Sequence, residues 1–234
     1  MTIEMTHNPS QAVARNGDSR IARGLIVLVI SIILAGFAKN FYLRAWLGSR
    51  PLIVTAWIHG IVMTAWLALF VTQATMVSRG RVDLHRKFGE WSVWLAVAVV
   101  AVGIATILVR ARLAHPDATA LMSATVFVAF DGLSLLLFGA LVALAWRYRF
   151  RPAIHRRLMV MAMVALLPPA FGRLVAYLRH DHIEIIAVGL MIVTTLIFVT
   201  VDALKSHRLQ RASWVPSLFI LLVNGATYFA QIAT

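Results

Sequence analysis

Residues 91–110 read WSVWLAVAVVAVGIATILVR, twenty positions without a charge until the terminal Arg110. At about 1.5 Å of rise per residue, a helix of this length spans about 30 Å, the thickness of a bilayer's hydrocarbon core. The run therefore predicts a transmembrane helix. Comparable runs lie at about 23–43, 52–77, 121–146, 157–178, 185–204 and 214–232. The last of these is interrupted by Pro216, Asn224 and Gln231 and is the weakest of the seven.

Composition agrees. The chain is 61% apolar and 13% charged, whereas a soluble domain is about half apolar and about a quarter charged. Residues 1–22 are polar and lack apolar periodicity, which predicts a mobile cytoplasmic tail ahead of a single bundle over 23–234. The fold expected is all-α, an integral membrane bundle of about seven transmembrane helices.

Charge sets the expected orientation. With the N-terminus inside, the cytoplasmic segments hold fifteen basic residues, clustered around Arg79–Lys87, Arg147–Arg157 and Lys205–Arg211, against six in the outer segments. Such an excess of Lys and Arg marks the cytoplasmic side, so the C-terminus is expected outside. Trp46, Trp91, Trp94, Trp146 and Trp214 fall near span ends, where aromatic rings prefer the headgroup layer. The net charge of +13 is thus explained by topology and anionic lipid, and no nucleic-acid partner is expected.

Several chemistries are excluded. Cysteine is absent, which removes disulfides, thiolate metal sites and cysteine nucleophiles. The lysines are Lys39, Lys87 and Lys205, all at span ends or in loops, so no lysine is placed for a retinal Schiff base. Dense histidine boxes, HExxH, a nucleotide-binding glycine loop and a G-x-S-x-G elbow are all missing.

Ionisable groups inside a bilayer cost about 2.5–3.5 kcal/mol each on insertion scales, and those that persist face a cavity or a partner. Three qualify: His59 in the second span, Asp131 in the fourth and Arg173 in the fifth. They are expected in one layer, with Asp131 and Arg173 neutralising each other. Pro168-Pro169 should break the fifth span, freeing carbonyls near Val164 and Ala165. Four-residue spacing puts Pro169, Arg173 and Tyr177 on one face. The second span carries a stripe of His59, Met63, Trp66, Phe70 and Gln73, where an imidazole and a thioether one turn apart suit a flat cofactor or a metal, or else form a packing seam.

Two basic segments, Gly80-Arg81-Val82-Asp83-Leu84-His85-Arg86-Lys87-Phe88-Gly89 and Arg151-Pro152-Ala153-Ile154-His155-Arg156-Arg157-Leu158-Met159, each set a histidine and arginines just before a span. His85 and His155 are candidate axial ligands for haem b, with Arg81, Arg86, Arg156 and Arg157 meeting its propionates or, equally, lipid phosphates. Together with His59-Gly60 and Arg173, these segments resemble a group of bacterial multi-pass membrane proteins. More remotely they are similar to small membrane b-type cytochromes and oxidase-assembly membrane proteins. That resemblance implies a bacterial cytoplasmic membrane location and haem-linked electron transport.

Three functions follow as expectations: a redox membrane protein binding haem b or quinone through His59, Met63, His85 or His155; a non-enzymatic accessory or assembly subunit of a larger membrane complex; and a small-molecule carrier using the Asp131/Arg173 layer.

Overall fold

A computed structural model describes residues 24–48, 51–113, 124–177 and 183–232 of the chain; the predicted tail over 1–22 lies outside the described residues. Every regular element among them is helical: α1 (Gly24–Tyr42), α2 (Val54–Ser78), α3 (Val82–Leu113), α4 (Ala124–Arg147), α5 (Pro152–Ala165), α6 (Pro168–Tyr177), α7 (Ile183–Ser206) and α8 (Arg211–Ile232). Helices α5 and α6 together form one interrupted rod. Counting that rod once, the rods from α1 to α7 are six segments long and apolar enough to cross a membrane. Helix α8 is not among those six, although its 22 residues reach about 33 Å. Large apolar side chains such as Val54, Ile61, Val97, Leu136 and Leu222 stand exposed around the outside, an arrangement suited to lipid rather than water. The protein is a multi-pass helical membrane bundle.

Helix ends follow local chemistry. After α2, Gly80 takes a φ of +74°, Gly80 N donates to Val77 O (3.1 Å) and Arg81 N to Met76 O (2.9 Å). This pair of bonds is a Schellman cap, which needs a left-handed residue at Gly80. The tight reversal lets α3 begin at Val82, nine residues ahead of the apolar run that starts at Trp91. Hydropathy marks where lipid begins, and the helix continues past it into the basic turn. Pro152 opens α5, where its missing N–H is no loss.

The α5–α6 rod is the centre of the bundle. Within its most apolar stretch 61% of residues are buried, against 11–28% in the other spans, so the remaining helices wrap around it. Helix α5 packs on α4 and α8, α6 on α7, and α2, α3 and α4 pack in sequence. The break falls at Leu166–Leu167, as the two prolines require. Of the carbonyls there, those of Met163 and Val164 find donors locally. Leu166 N donates to Met163 O (3.2 Å) and Leu167 N to Val164 O (3.0 Å), while Leu167 O caps α6 by accepting from Ala170 N (2.9 Å) and Phe171 N (3.1 Å). Helix α1 touches α6 backbone to backbone, since a Cβ on Gly36 would lie 2.5 Å from Ala170 O.

At the basic end, Arg157 of α5 donates from Nε to both carboxylate oxygens of Asp202 on α7 (2.9 and 2.8 Å). Ser213 Oγ of α8 donates to the same carboxylate (2.6 Å). Three helices are thereby tied at one acid. With side chains 12% and 20% exposed, the pair is mostly buried, and removing one partner strands the other. Asp202→Asn is expected to destabilise the bundle by about 2–4 kcal/mol, somewhat below a fully buried pair. Unfolding of the detergent-solubilised chain in an SDS titration measures this. An Arg157→Gln/Asp202→Asn double variant should lose clearly less than the two single losses combined.

Candidate functional site

A cavity of about 700 Å³ opens between α1, α2, α3, α4 and the α5–α6 rod at the end away from the basic turns. His59 and Met63, one turn apart on α2, line it together with Asp131 of α4 and Arg173 of α6. The layer predicted from intramembrane charge thus falls around one space. Asp131 and Arg173 make no direct ion pair. They act on each other through charge, as do Arg173 and Arg110 on His59. Arg173 is held instead by its own helix: Nη1 donates to Pro169 O (2.8 Å) and the guanidinium stands 4.6 Å from the centre of the Phe37 ring. Pro168-Pro169 therefore does more than kink the rod; it sets the carbonyl that orients this arginine. Tyr177 does not reach the cavity. Its hydroxyl donates to Gly36 O (2.7 Å), pinning α1 to α6, and Lys39 lies 5.7 Å from its ring centre.

The wall opposite is aromatic. The last turn of α1, Ala38–Tyr42, widens into a π-helix, a distortion common where side chains must be aimed at a site. It projects Phe41 onto Gly60, so closely that any Cβ on Gly60 would strike the ring. Phe41 meets Tyr42 and Trp57 at 5.2 and 5.4 Å between ring centres, and the Tyr42 and Thr64 hydroxyls share a hydrogen bond (3.1 Å). The His59-Gly60 pair now has a physical reading: His59 faces the cavity and Gly60 admits the aromatic wall beside it.

Two buried polar atoms in this lining have no hydrogen-bond partner, Trp66 Nε1 and Ser134 Oγ. Trp66 is fixed by an edge-to-face contact with Phe138 (5.2 Å). Ser134, Thr106, Arg110 and Phe37 were not singled out from sequence. Arg110 read only as a topology charge, and a serine or threonine in a span normally bonds its own helix, as Thr106 Oγ1 does to Val102 O (2.8 Å).

The other candidates lie elsewhere. His85, near the start of α3, and His155, near the start of α5, meet at 6.1 Å between ring centres with planes 75° apart. His85 is about 30 Å along α3 from Thr106 at the cavity. The four proposed cofactor residues therefore form two separate pairs, His59/Met63 and His85/His155. His155 Nδ1 donates to Ala145 O (2.8 Å). Of the arginines assigned to propionates or lipid, Arg157 is engaged by Asp202 and is withdrawn from that role; Arg81 lies 3.6 Å from Asp83 at the surface, and Arg86 and Arg156 are exposed. No group of three or more His, Asp or Glu side chains among the described residues is arranged to hold a metal ion.

Comparison with protein families, with curated proteins and with solved structures finds no match to this chain. The functional reading therefore rests on the site alone.

An unpaired buried hydroxyl gains nothing from its polarity until a ligand supplies a partner. Ser134→Ala is expected to leave the ligand-free bundle unchanged or up to about 1 kcal/mol more stable. Gly60→Leu should displace Phe41 and cost about 1–3 kcal/mol by overpacking. Thermal unfolding of both variants in the same detergent measures the contrast.

Proposed function

We propose that this protein binds a quinone, or a closely similar planar ring bearing two carbonyl groups, in the cavity around His59, Asp131 and Arg173. The observation that carries the reading is the cavity's chemistry: hydrogen-bond donors from three helices converge among aromatic and thioether side chains. Ligand sites of about 300–1,000 Å³ are typically apolar with a few placed polar groups, and this cavity fits that range.

A quinone head is a flat apolar ring whose two carbonyl oxygens only accept hydrogen bonds. His59, Arg173 and Arg110 line the cavity with hydrogen-bond donors. Phe37 and Phe41 offer faces for the ring, while Met63 and Met163 give soft apolar contact that adapts to its shape. Asp131 lines the same space and offsets part of the positive charge of Arg173.

The test is equilibrium binding of short-chain benzoquinone and naphthoquinone to the full chain in lipid nanodiscs. One saturable site is expected, weakened about tenfold or more in His59→Ala and in Arg173→Gln, which corresponds to about 1.4 kcal/mol for each lost contact. Absence of saturable binding to a folded chain, or undiminished wild-type affinity in both variants, would overturn the reading.

A further inference from the structure

The opposite end of the bundle carries a second cluster that the cavity does not use. His85 and His155 approach to 6.1 Å between ring centres. The His85 Nδ1 atom is buried and has no hydrogen-bond partner, and neither has either side-chain polar atom of Gln73. Gln73 belongs to the same cluster, because its backbone carbonyl accepts a hydrogen bond from the His85 ring. These unpaired groups need a ligand, and the surroundings decide its sign. Both histidines sit in the first turns of helices, where exposed N–H groups favour anions. Arg86 and Arg156, the residues that follow them, are cationic and exposed. Asp83 lies beside Arg81, so the charge left to Arg86 and Arg156 favours an oxyanion over a metal cation.

We infer that His85 and His155, with Arg86 and Arg156, seat the phosphate of an anionic membrane phospholipid. A phosphate draws its binding from the arginine guanidinium groups, which hold such oxygens in paired fashion, and from the second ring nitrogens of the two imidazoles when these carry a proton. The lipid source follows from what surrounds the seat. Phe88, Trp91 and Phe150 stand 46%, 72% and 77% exposed around it, as rings at the headgroup layer do. Arg157 is outside the seat, being held by Asp202. The inference is independent of the quinone reading, since it uses different residues at the other end of the bundle.

Native mass spectrometry of the full chain, in detergent with equal phosphatidylglycerol and phosphatidylcholine, tests it. One phosphatidylglycerol is expected to remain bound in preference to phosphatidylcholine. That preference should fall at least about fivefold in Arg156→Gln and again in His85→Gln/His155→Gln, the size of one lost surface cation. Arg149→Gln, whose guanidinium stacks between Trp146 and Phe150, should leave it unchanged. Should the double variant fail to fold, Arg156→Gln alone decides. Equal retention in wild type and Arg156→Gln overturns the inference. So does lipid-free binding of millimolar inorganic phosphate that displaces the phosphatidylglycerol, which would identify free phosphate as the ligand. A b-type absorption band in the wild-type chain that is lost in the double histidine variant overturns it in favour of haem.

Discussion

A backbone group left unpaired inside a bilayer costs several kcal/mol, so a helix broken at membrane depth must find replacements at once. The α5–α6 rod meets that demand locally. Leu166 and Leu167 turn their N–H groups back onto Met163 and Val164, and Leu167 O starts the next helix. Just past the break, Pro169 O also accepts from the Arg173 side chain. The turn that follows the proline pair thus holds a guanidinium where lipid alone would reject it. The same rod receives α1, through the bare backbone at Gly36 and the Tyr177–Gly36 bond. The cavity's position follows from these contacts, since α1 reaches the site only because α6 begins afresh beside it.

Stability and openness are divided between the two ends. At the basic end Asp202 collects Arg157 and Ser213, closing α5, α7 and α8 around one carboxylate. At the other end Asp131 has no such direct partner and faces a space instead. Both acids lie within helices predicted to span the membrane, yet one is used up by packing and the other is not. This contrast, more than the presence of charge, separates a structural group from a candidate functional one. It also explains why only one of the four arginines grouped together at the basic turns lost its assigned role.

The sequence made the spans legible because hydropathy needs only local composition, and the proline break legible because it rests on a missing N–H. The layer of His59, Asp131 and Arg173 could be read from the cost of burying charge. Three things were beyond that reasoning. Direct pairing of Asp131 with Arg173 was expected from opposite charge alone, but Pro169 O competes at shorter range and the two side chains stay apart. Asp202 was passed over because it sits near a span end, where an acid looks solvated until its neighbours on α5 and α8 are known. Ser134 gave no signal and Trp66 showed only as a member of the α2 stripe, for an unpaired hydroxyl or indole N–H is a property of the packed bundle and not of the residue. The α2 stripe from His59 to Gln73 was visible by spacing, but spacing could not show that its two ends serve different surroundings.

Those surroundings argue for different ligands on physical grounds. At the cavity, Arg173 is shared between a carbonyl and the Phe37 face, and Asp131 offsets part of the positive charge. A neutral acceptor such as a quinone carbonyl therefore gains hydrogen bonds there without a large desolvation cost of its own. At the basic turns Arg86 and Arg156 make no ion pair with a carboxylate among the described residues, Asp83 lying beside Arg81. The field there favours a full negative charge held at the headgroup layer, where water still screens what the protein does not compensate. A haem between His85 and His155 would need propionate partners in this same region, and the most buried arginine available, Arg157, is already committed to Asp202. Depth in the membrane thus sorts the two histidine sites: the deep one suits an apolar ring, the shallow one an anion.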